Sequence, residues 1–262
     1  MRIVSLAPSV TSILLGLGAG RQVVGVSRWC KHVADIGSRP QFGDCWKLDI
    51  AQVMRLRPTL LVGSVPFAPK TVSDILAQPV PFLALNPRAL ADIENDIRLL
   101  ARTLGREGRG DQMILKMRRG FAAVQRQAQR IAGRSRPRVY CEAWPNPRIS
   151  SPPWVSELVN LAGGKSVLPA GRRVTDEEVA LASPDLIVLA WTATGDRAKP
   201  RQALQNRAWK DVPAIKSGRV VVICDELLNT PAPILVQGAR ALLEAIHPRA
   251  ARRTAREGSA RC

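Results

Sequence analysis

Histidine, tyrosine and phenylalanine are scarce in this chain of 262 residues, which has two histidines, one tyrosine and four phenylalanines. Long apolar runs are also missing, because Arg, Lys, Pro or Gly interrupts every candidate before the roughly 18–20 residues that a membrane-spanning helix needs. We therefore do not expect an integral membrane protein. The catalytic motifs GxSxG and HExxH and the phosphate-binding P-loop do not occur, so the sequence indicates a protein that is not an enzyme of those classes.

The cysteines are few and are not arranged in a known metal motif. They lie at positions 30, 45, 141, 224 and 262, an odd number without CxxC spacing. A chain of this size does not depend on disulfides, so we expect free thiols. We also expect no catalytic cofactor. A soft-metal or cobalt contact stays open as an alternative, although the spacing has no zinc signature. Its candidate residues are Cys30, His32, Cys45 and Cys141.

Acidic residues are outnumbered by basic ones, 21 against 39, which gives a formal net charge of +18. Part of the excess lies in the final segment, "RAARRTAREGSARC", residues 249–262, which we expect to be a disordered basic tail. No basic stripe interleaved with aromatic residues occurs, and no helix-turn-helix, RRM or zinc-finger spacing. We therefore expect no nucleic-acid partner, and we expect a monomer.

The first residues, "MRIVSLAPSV", pass directly into a strand-like run. They lack the apolar core and small-residue cleavage site of a signal peptide. This favours a cytoplasmic protein. A misassigned start codon would leave a periplasmic or extracytoplasmic location open.

Two segments resemble one another, "IAQVMRLRPTLLVGS" (Ile50 to Ser64) and "DEEVALASPDLIVLAW" (Asp176 to Trp191). Each begins as a short amphipathic helix that stops before a proline, Pro58 or Pro184, and continues as an apolar run. Proline disfavours the α conformation in its predecessor, and a run that is apolar on both faces is typical of a parallel strand covered by helices. The repeat predicts two α/β lobes of similar plan.

The pattern of elements predicts an α/β fold with two Rossmann-like lobes, parallel sheets and one long bridging helix. The glycines at 105, 108 and 110 are expected to break the longest helical stretch, and the inter-lobe helix is placed at about 111–132. The predicted divisions are an N-terminal α/β lobe at 1–86, a helical segment at 87–135, a C-terminal α/β lobe at 136–248 and the tail at 249–262.

Aromatic residues make up 4% of the chain, yet six of them are tryptophans. Most follow predicted strands or lie in loops, where parallel sheets bind their ligands. We expect them to line a crevice between the lobes and to hold a large, flat, partly apolar ligand. Trp209 is interpreted as structural. The expected ligand contacts are Trp29, Cys30, Asp44, Trp46, Glu142, Trp144, Trp191 and Trp154.

Three of these contacts leave an alternative open. Asp44 and Glu142 pair either with polar ligand groups or with nearby arginines. Trp154 opens a helix after the proline-rich stretch "PNPRISSPPW", and it is either a contact at the rim of the crevice or a plug in the core.

Several segments, which follow one another in the order expected for the family, resemble the iron-siderophore and vitamin B12 class of periplasmic binding proteins. They are "RIVSLAPSVTSILLGLGAGRQVVGVSRWC", "IAQVMRLRPTLLV", "EAWPNPRI…WVSELVNLAGG", "VTDEEVALASPDLIVLAW", "GRVVVI" and "LNTPAPILVQGARALLEAIHP". The resemblance covers about residues 2 to 248, and its closest members are cobalamin-binding proteins. It implies the class III periplasmic-binding-protein fold, with two α/β lobes bridged by one long helix.

The resemblance also implies a function and a partner. A cobalamin-like corrinoid would lie in the cleft, with aromatic contacts that map onto Trp29 and onto the loop of Trp46, while the family aromatic after Ser64 is missing. Transport members dock on an ABC permease through one glutamate on each lobe. The positions that align here hold Ala51 and Asn229, so we do not expect that docking.

We therefore interpret the chain as a non-catalytic protein that binds a cobalamin-like corrinoid and derives from substrate-binding proteins of ABC transporters. One alternative is the binding of haem or a ferric siderophore in the same cleft. Another is a cysteine-dependent enzyme or chaperone that handles a metal or a corrinoid.

Overall fold

The computed structural model describes residues 1–131, 136–194, 200, 205 and 208–248. The chain divides into two compact units. The first unit contains residues 1–116 and 231–233, and the second contains residues 117–230 and the chain from 234 onward. Across the described ranges, no helix combines the length and the apolar character that are needed to cross a membrane.

The first unit contains a parallel sheet of five strands in its described part, with the order β3-β2-β1-β4-β5. These strands are β1 (Ile3–Ser5), β2 (Val23–Ser27), β3 (Gln41–Phe42), β4 (Leu60–Ser64) and β5 (Phe82–Leu85). The sequence predicts four of them, from the apolar runs "RIVSLA", "VVGVS", "LLVGS" and "FLAL". Strand β3 was missed, since its two residues show no periodicity and pair only with β2.

Helices cover the sheet of the first unit, and two of them begin at a proline. Its helical segments are α1 (Pro8–Gly16), a 3₁₀ turn (Cys30–His32), α2 (Ile50–Arg55), α3 (Pro69–Leu76) and α4 (Leu90–Thr103). Proline suits a first helical position because its missing N–H would be unpaired there in any case. Valine and isoleucine side chains from α2 and α3, Val53 and Ile75, are fully buried in the core against β1 and β4.

The longest helix, α5 (Glu107–Ile131), has 25 residues. Its apolar face is buried as the periodicity predicts, through Ile114, Met117, Phe121, Val124 and Ala128. The expected break at three glycines is partly wrong. Only Gly105 interrupts the helical path, with a φ of 63°, whereas Gly108 and Gly110 lie inside α5.

The second unit has its own sheet, whose described strands follow the order β10-β9-β6-β7, with β8 also paired to β6. They are β6 (Arg138–Pro145), β7 (Arg148–Ser150), β8 (Lys165–Ser166), β9 (Leu186–Leu189) and β10 (Val220–Val222). The prediction of parallel strands holds except at β7, which pairs antiparallel with β6. The proline-rich stretch that follows Cys141 is therefore a hairpin and not a free loop.

The described helices of the second unit are α6 (Pro153–Leu161), α7 (Asp176–Leu181), α8 (Pro213–Lys216), α9 (Asp225–Asn229) and α10 (Leu235–Ile246). Helices α8 and α9 were not predicted, because helices of four and five residues carry too little periodicity. The sequence also predicts a helix near residues 200–208, most of which lies outside the described residues. The basic tail at 249–262 lies wholly outside them.

Candidate functional site

Trp29 lies two residues beyond the end of β2, at the carboxyl edge of the first sheet. Its half-buried ring lies 5.9 Å from the ring of His32, centroid to centroid, at a tilted angle. The indole N–H donates a hydrogen bond of 3.0 Å to Oδ2 of Asp44. Because parallel strands carry their ligands at this edge, the position is the one expected for a ligand contact.

Asp44 connects Trp29 to the loop that carries Trp46. Its Oδ1 accepts hydrogen bonds from the backbone N–H groups of Trp46, at 3.0 Å, and Lys47, at 3.1 Å. Its Oδ2 also lies 3.2 Å from a guanidinium nitrogen of Arg28. Partial burial alone would raise the pKa of Asp44, but the hydrogen bonds from Trp29, Trp46 and Lys47 and the charge of Arg28 together lower it. The carboxylate therefore holds the two tryptophan-bearing segments together in its ionised form.

Trp46 is 64% exposed, the most open of the described tryptophans that were predicted to contact a ligand. The loop beneath it is tight, since Gly43 faces the backbone oxygen of Lys47 so closely that a Cβ at position 43 would lie 1.7 Å from it. Position 43, at the base of the loop, therefore requires a glycine. The tight loop that it permits holds the apolar ring of Trp46 in solvent.

Cys30 does not lie on the surface of this edge. Its thiol is fully buried, and its Sγ lies 3.0 Å from the hydroxyl of Thr11 and 3.1 Å from that of Ser27. Burial raises the pKa of the Cys30 thiol, so it stays protonated. The predicted direct ligand contact of Cys30 is corrected to a position in the core beneath Trp29.

The candidate metal ligands do not form a metal site. Within the described ranges, no three His, Cys, Asp or Glu side chains lie close enough to hold a metal ion. Burial and the charge of Asp44 raise the pKa of Cys45 to about 11, and burial raises that of Cys141 to about 12. Cys30, Cys45 and Cys141 are free thiols, as expected. For Cys224 the expectation of a free thiol is wrong, because this residue takes part in a disulfide. Cys262 lies outside the described residues.

Trp191 has the same position in the second unit, two residues beyond the end of β9. Its half-buried ring packs against the core cluster that contains Tyr140 and Trp209. Its indole N–H donates a hydrogen bond of 3.0 Å to Oε1 of Glu142. The second predicted indole therefore also rests on a carboxylate.

Glu142 itself is fully buried, at 0% exposure. Its Oε2 accepts a hydrogen bond of 3.0 Å from the hydroxyl of Tyr140 and lies 3.1 Å from Nε of Arg148. Both carboxylates pair with an arginine, Asp44 with Arg28 and Glu142 with Arg148, but Glu142 is buried and is not the ordinary surface charge of the second alternative. A direct ligand contact of Glu142 is corrected to support from beneath Trp191.

Arg148 joins several groups of the second unit. One guanidinium nitrogen lies 2.7 Å from Oδ1 of Asp176, and the guanidinium carbon lies 4.7 Å from the ring centroid of Trp209. Trp209 is 1% exposed, and its N–H donates to the backbone oxygen of Asp176, so its structural role is confirmed. Sequence reasoning missed Arg148 and Asp176, although the arginine lies in the proline-rich stretch that stood out.

The other two predicted tryptophans have different surroundings. Trp144, near the end of β6, is 41% exposed, and its N–H donates to the backbone oxygen of Asn146. Trp154, at the start of α6, is buried, and its N–H donates a hydrogen bond of 2.8 Å to the backbone oxygen of Leu228. Of the alternatives for Trp154, the structure shows the plug in the core.

The two positions at which the family resemblance implies docking glutamates carry no charge in this chain. Ala51 is exposed in the first turn of α2. Asn229 is half-buried at the end of α9, and its side-chain amide donates a hydrogen bond of 2.8 Å to the backbone oxygen of Ala190, next to Trp191. Neither side chain can supply a carboxylate.

Known proteins resemble this chain over most of its length. Residues 3–227 match the family described as "Periplasmic binding protein". The ABC transporter substrate-binding lipoprotein YvrC of Bacillus subtilis (strain 168), itself described as uncharacterized, is 25% identical over 257 residues, which are 94% of this chain and 80% of that protein. A vitamin B12-binding protein of Vibrio parahaemolyticus is 22% identical over 240 residues, which are 88% of this chain and 84% of that protein.

Among solved structures, the periplasmic heme-binding protein RhuT from Roseiflexus sp. RS-1, in its apo form, matches with a TM-score of 0.81 and 25% sequence identity. The match covers 94% of this chain and 98% of that protein. It confirms the predicted class III fold. The cytoplasmic location predicted from the N-terminus is wrong, because the matched proteins are periplasmic binding proteins and a substrate-binding lipoprotein. With a family match that extends over most of its residues, the chain belongs to the periplasmic binding protein family.

Proposed function

We propose that this protein binds a flat macrocycle, a cobalamin-like corrinoid, on the tryptophans at the carboxyl edges of its sheets. One observation carries the proposal. Trp29 and Trp191 each lie two residues beyond a parallel strand, each with a half-buried ring and an N–H on a carboxylate. Indole rings held in this way offer flat apolar surface, which suits a large ring system.

The relatives support a corrinoid, since one of them is named a vitamin B12-binding protein. The residues support it as well. Cobalamin carries its own axial ligand to cobalt, whereas protein-bound haem usually takes an axial His, Tyr, Met or Cys from the protein. The described cysteines that are free thiols have raised pKa values and do not present thiolates.

Haem is the second candidate ligand, and three observations favour it. The matched structure at 25% identity is named a heme-binding protein. His32 lies beside Trp29, where an imidazole could serve as an axial ligand to iron. The net charge of +18 also suits the propionates of haem, or an anionic ferric siderophore, through long-range attraction.

For the partner, we propose an ABC permease, in line with the relative named an ABC transporter substrate-binding lipoprotein. Salt bridges from glutamates at the aligned positions are not available, because Ala51 and Asn229 stand there. Docking would therefore use other contacts. A pull-down of the permease with this protein, with and without an Ala51→Glu, Asn229→Glu pair, tests whether the carboxylates strengthen binding.

Titration of the purified protein with cyanocobalamin, hemin and a ferric hydroxamate siderophore tests the ligand. We expect cyanocobalamin to quench tryptophan fluorescence and to form a complex of one ligand per chain with a shifted visible spectrum. If only hemin forms a complex, and His32→Ala weakens it, the ligand is haem and not a corrinoid. No complex with any of the three at tens of micromolar would contradict the proposal.

Substitutions then locate the contact. Trp29→Phe, Trp46→Phe, Trp144→Phe and Trp191→Phe should each reduce the quenching and the affinity, since each removes a large ring surface. Trp154→Phe is the matched control, because that ring is in the core. A Cys30→Ser, Cys45→Ser pair should leave the affinity unchanged, and loss of most of it would favour the cysteine-dependent alternative.

A further inference from the structure

The two units contain the same arrangement of an indole, a carboxylate and an arginine. In the first unit, the N–H of Trp29 donates to Asp44, whose Oδ2 also lies 3.2 Å from Arg28. The hydrogen bond is 3.0 Å long. Asp44 precedes Trp46 by two residues and binds its backbone N–H, so that one carboxylate orients one ring and holds the loop of another.

In the second unit, the N–H of Trp191 donates to Glu142, whose other oxygen lies 3.1 Å from Arg148. This hydrogen bond is also 3.0 Å long. The partners are separated by 49 residues in the chain, against 15 in the first unit. The arrangement therefore arises twice from different local sequences, at the same position relative to a strand end.

Both carboxylates are shielded from solvent. Glu142 is fully buried beneath the half-buried ring of Trp191, and the side chain of Asp44, which bonds the half-buried Trp29, is 14% exposed. An indole has one polar group, its N–H, which donates only. With this group engaged below the surface, what each ring offers to solvent is carbon.

A hydrogen bond to an ionised acceptor is shorter and about twice as strong as one between neutral groups. Each indole is thereby held at two points, its Cα and its N–H, and rotation about its side-chain bonds is restricted. A ring that is fixed before the ligand arrives loses less conformational freedom on binding. Such a ring also cannot turn its N–H toward an oxygen-rich ligand.

We propose that Asp44 and Glu142 are positioning residues, which fix Trp29 and Trp191 with the N–H turned inward. Each ring then favours flat macrocycles over chelates that present many oxygen acceptors. This inference rests on the proposed function for its ligand, but the positioning itself concerns the unliganded protein and is measured there.

The unliganded protein is tested by fluorine NMR after incorporation of 5-fluorotryptophan, with Trp29→Phe and Trp191→Phe used to assign the two resonances. Asp44→Ala should shift and broaden the Trp29 resonance and leave that of Trp191 in place. Glu142→Gln should do the reverse. Asp49→Ala is the matched control, because Asp49 caps α2 in the same unit and bonds no indole. Unchanged resonances in Asp44→Ala and Glu142→Gln would overturn the proposal.

The ligand test is a double-mutant cycle on the partly exposed pair, since Asp44→Ala is less disruptive than a change at the buried Glu142. Asp44→Ala alone should weaken cyanocobalamin binding about tenfold, the equivalent of a hydrogen bond to a charged group. In a background that carries both Trp29→Phe and Trp46→Phe, it should change the affinity no further, because Asp44 also holds the loop of Trp46. An equal loss in both backgrounds would show a merely structural carboxylate and overturn the proposal.

Selectivity gives the last readout. Asp44→Ala should narrow the difference in affinity between cyanocobalamin and ferrioxamine, because the freed N–H can then donate to the chelate. A wild-type protein that prefers ferrioxamine would overturn the selectivity. If the wild type binds none of the three probes, the proposed function fails, while the fluorine resonances still decide on the positioning.

Discussion

Arg57 and Ser183 occupy the same position in two copies of one turn, and both have a positive φ, 45° for Arg57 and 41° for Ser183. Each follows the end of a short helix, α2 or α7, and each precedes a proline that lies two residues before a buried strand. The internal repeat thus extends to the backbone conformation. The left-handed region is costly for residues with a Cβ, so the repeat keeps the same strain in both units.

Glycine should relieve this strain. We expect Arg57→Gly and Ser183→Gly each to stabilise the protein by up to about 1 kcal/mol, since glycine adopts a positive φ without steric cost. Urea denaturation measures the change in the free energy of unfolding. The matched substitution is Arg55→Gly, which lies inside α2 and should destabilise. A loss of stability in both glycine variants at 57 and 183 would show that the turns are not strained.

Removal of Arg148 should be costly. Arg148→Met leaves the carboxylate of Glu142 buried without its ion-pair partner, which costs about 3–5 kcal/mol of unfolding free energy. Chemical denaturation measures it, and the control is Lys70→Met, which breaks an exposed i,i+4 pair with Asp74 and should cost less than about 1 kcal/mol. Equal losses in the two variants would contradict the role given to Arg148.

Acid should weaken the loop that Asp44 holds. The pKa of Asp44 is lower in the folded protein than its ordinary value, so the carboxylate stabilises the fold above the ordinary value, and this stabilisation is lost as the pH falls through the folded pKa. The difference in unfolding free energy between the wild type and Asp44→Asn should therefore be constant near neutral pH and shrink below about pH 4. Fluorescence-monitored denaturation at several pH values measures it. A difference that grows on acidification would refute the assignment.

A side chain at position 43 should disturb the loop of Trp46. A Cβ there would lie 1.7 Å from the backbone oxygen of Lys47, so the loop must move in Gly43→Ala. We expect a loss of about 1–3 kcal/mol, typical of overpacking, and weaker ligand binding. Gly108→Ala is the control, because that position lies in α5 with no atom within 4 Å of an added Cβ, and it should stabilise. Thermal melts and titrations with cyanocobalamin give the two readouts, and an unchanged Gly43→Ala protein would be a contradiction.

Much of the fold could be predicted from local pattern. Strand β2 covers the predicted "VVGVS", and the two helices before Pro58 and Pro184 end as expected. These features depend on residues that are neighbours in the chain, such as a proline that excludes helix from its predecessor. The edge at which Trp29 and Trp191 lie could be predicted as well, because strand direction follows from the alternation of helices and strands.

Other features depended on contacts that no local pattern contains. The antiparallel strand β7 forms because β6 is available to pair with it, and the stretch resembles a loop when it is considered alone. Cys30 and Glu142 were expected to contact a ligand, yet both are buried. For Glu142, in β6, strand periodicity shows that alternate residues point to opposite faces, but not which face the rest of the unit covers. Cys30 lies in a 3₁₀ turn, where no strand period applies.

The sequence by itself determined the class of fold and the positions at which the strands end, because these depend on short-range sterics and on the hydrophobic period of the chain. It also showed that tryptophans follow the strand ends. Only the tertiary structure decided what each tryptophan does. The indole of Trp191 meets a carboxylate 49 residues away, and that carboxylate is fully buried beside an arginine. A buried carboxylate is stable only where hydrogen-bond and ion-pair partners surround it. The assembled sheet brings these partners together, so their arrangement depends on three-dimensional packing.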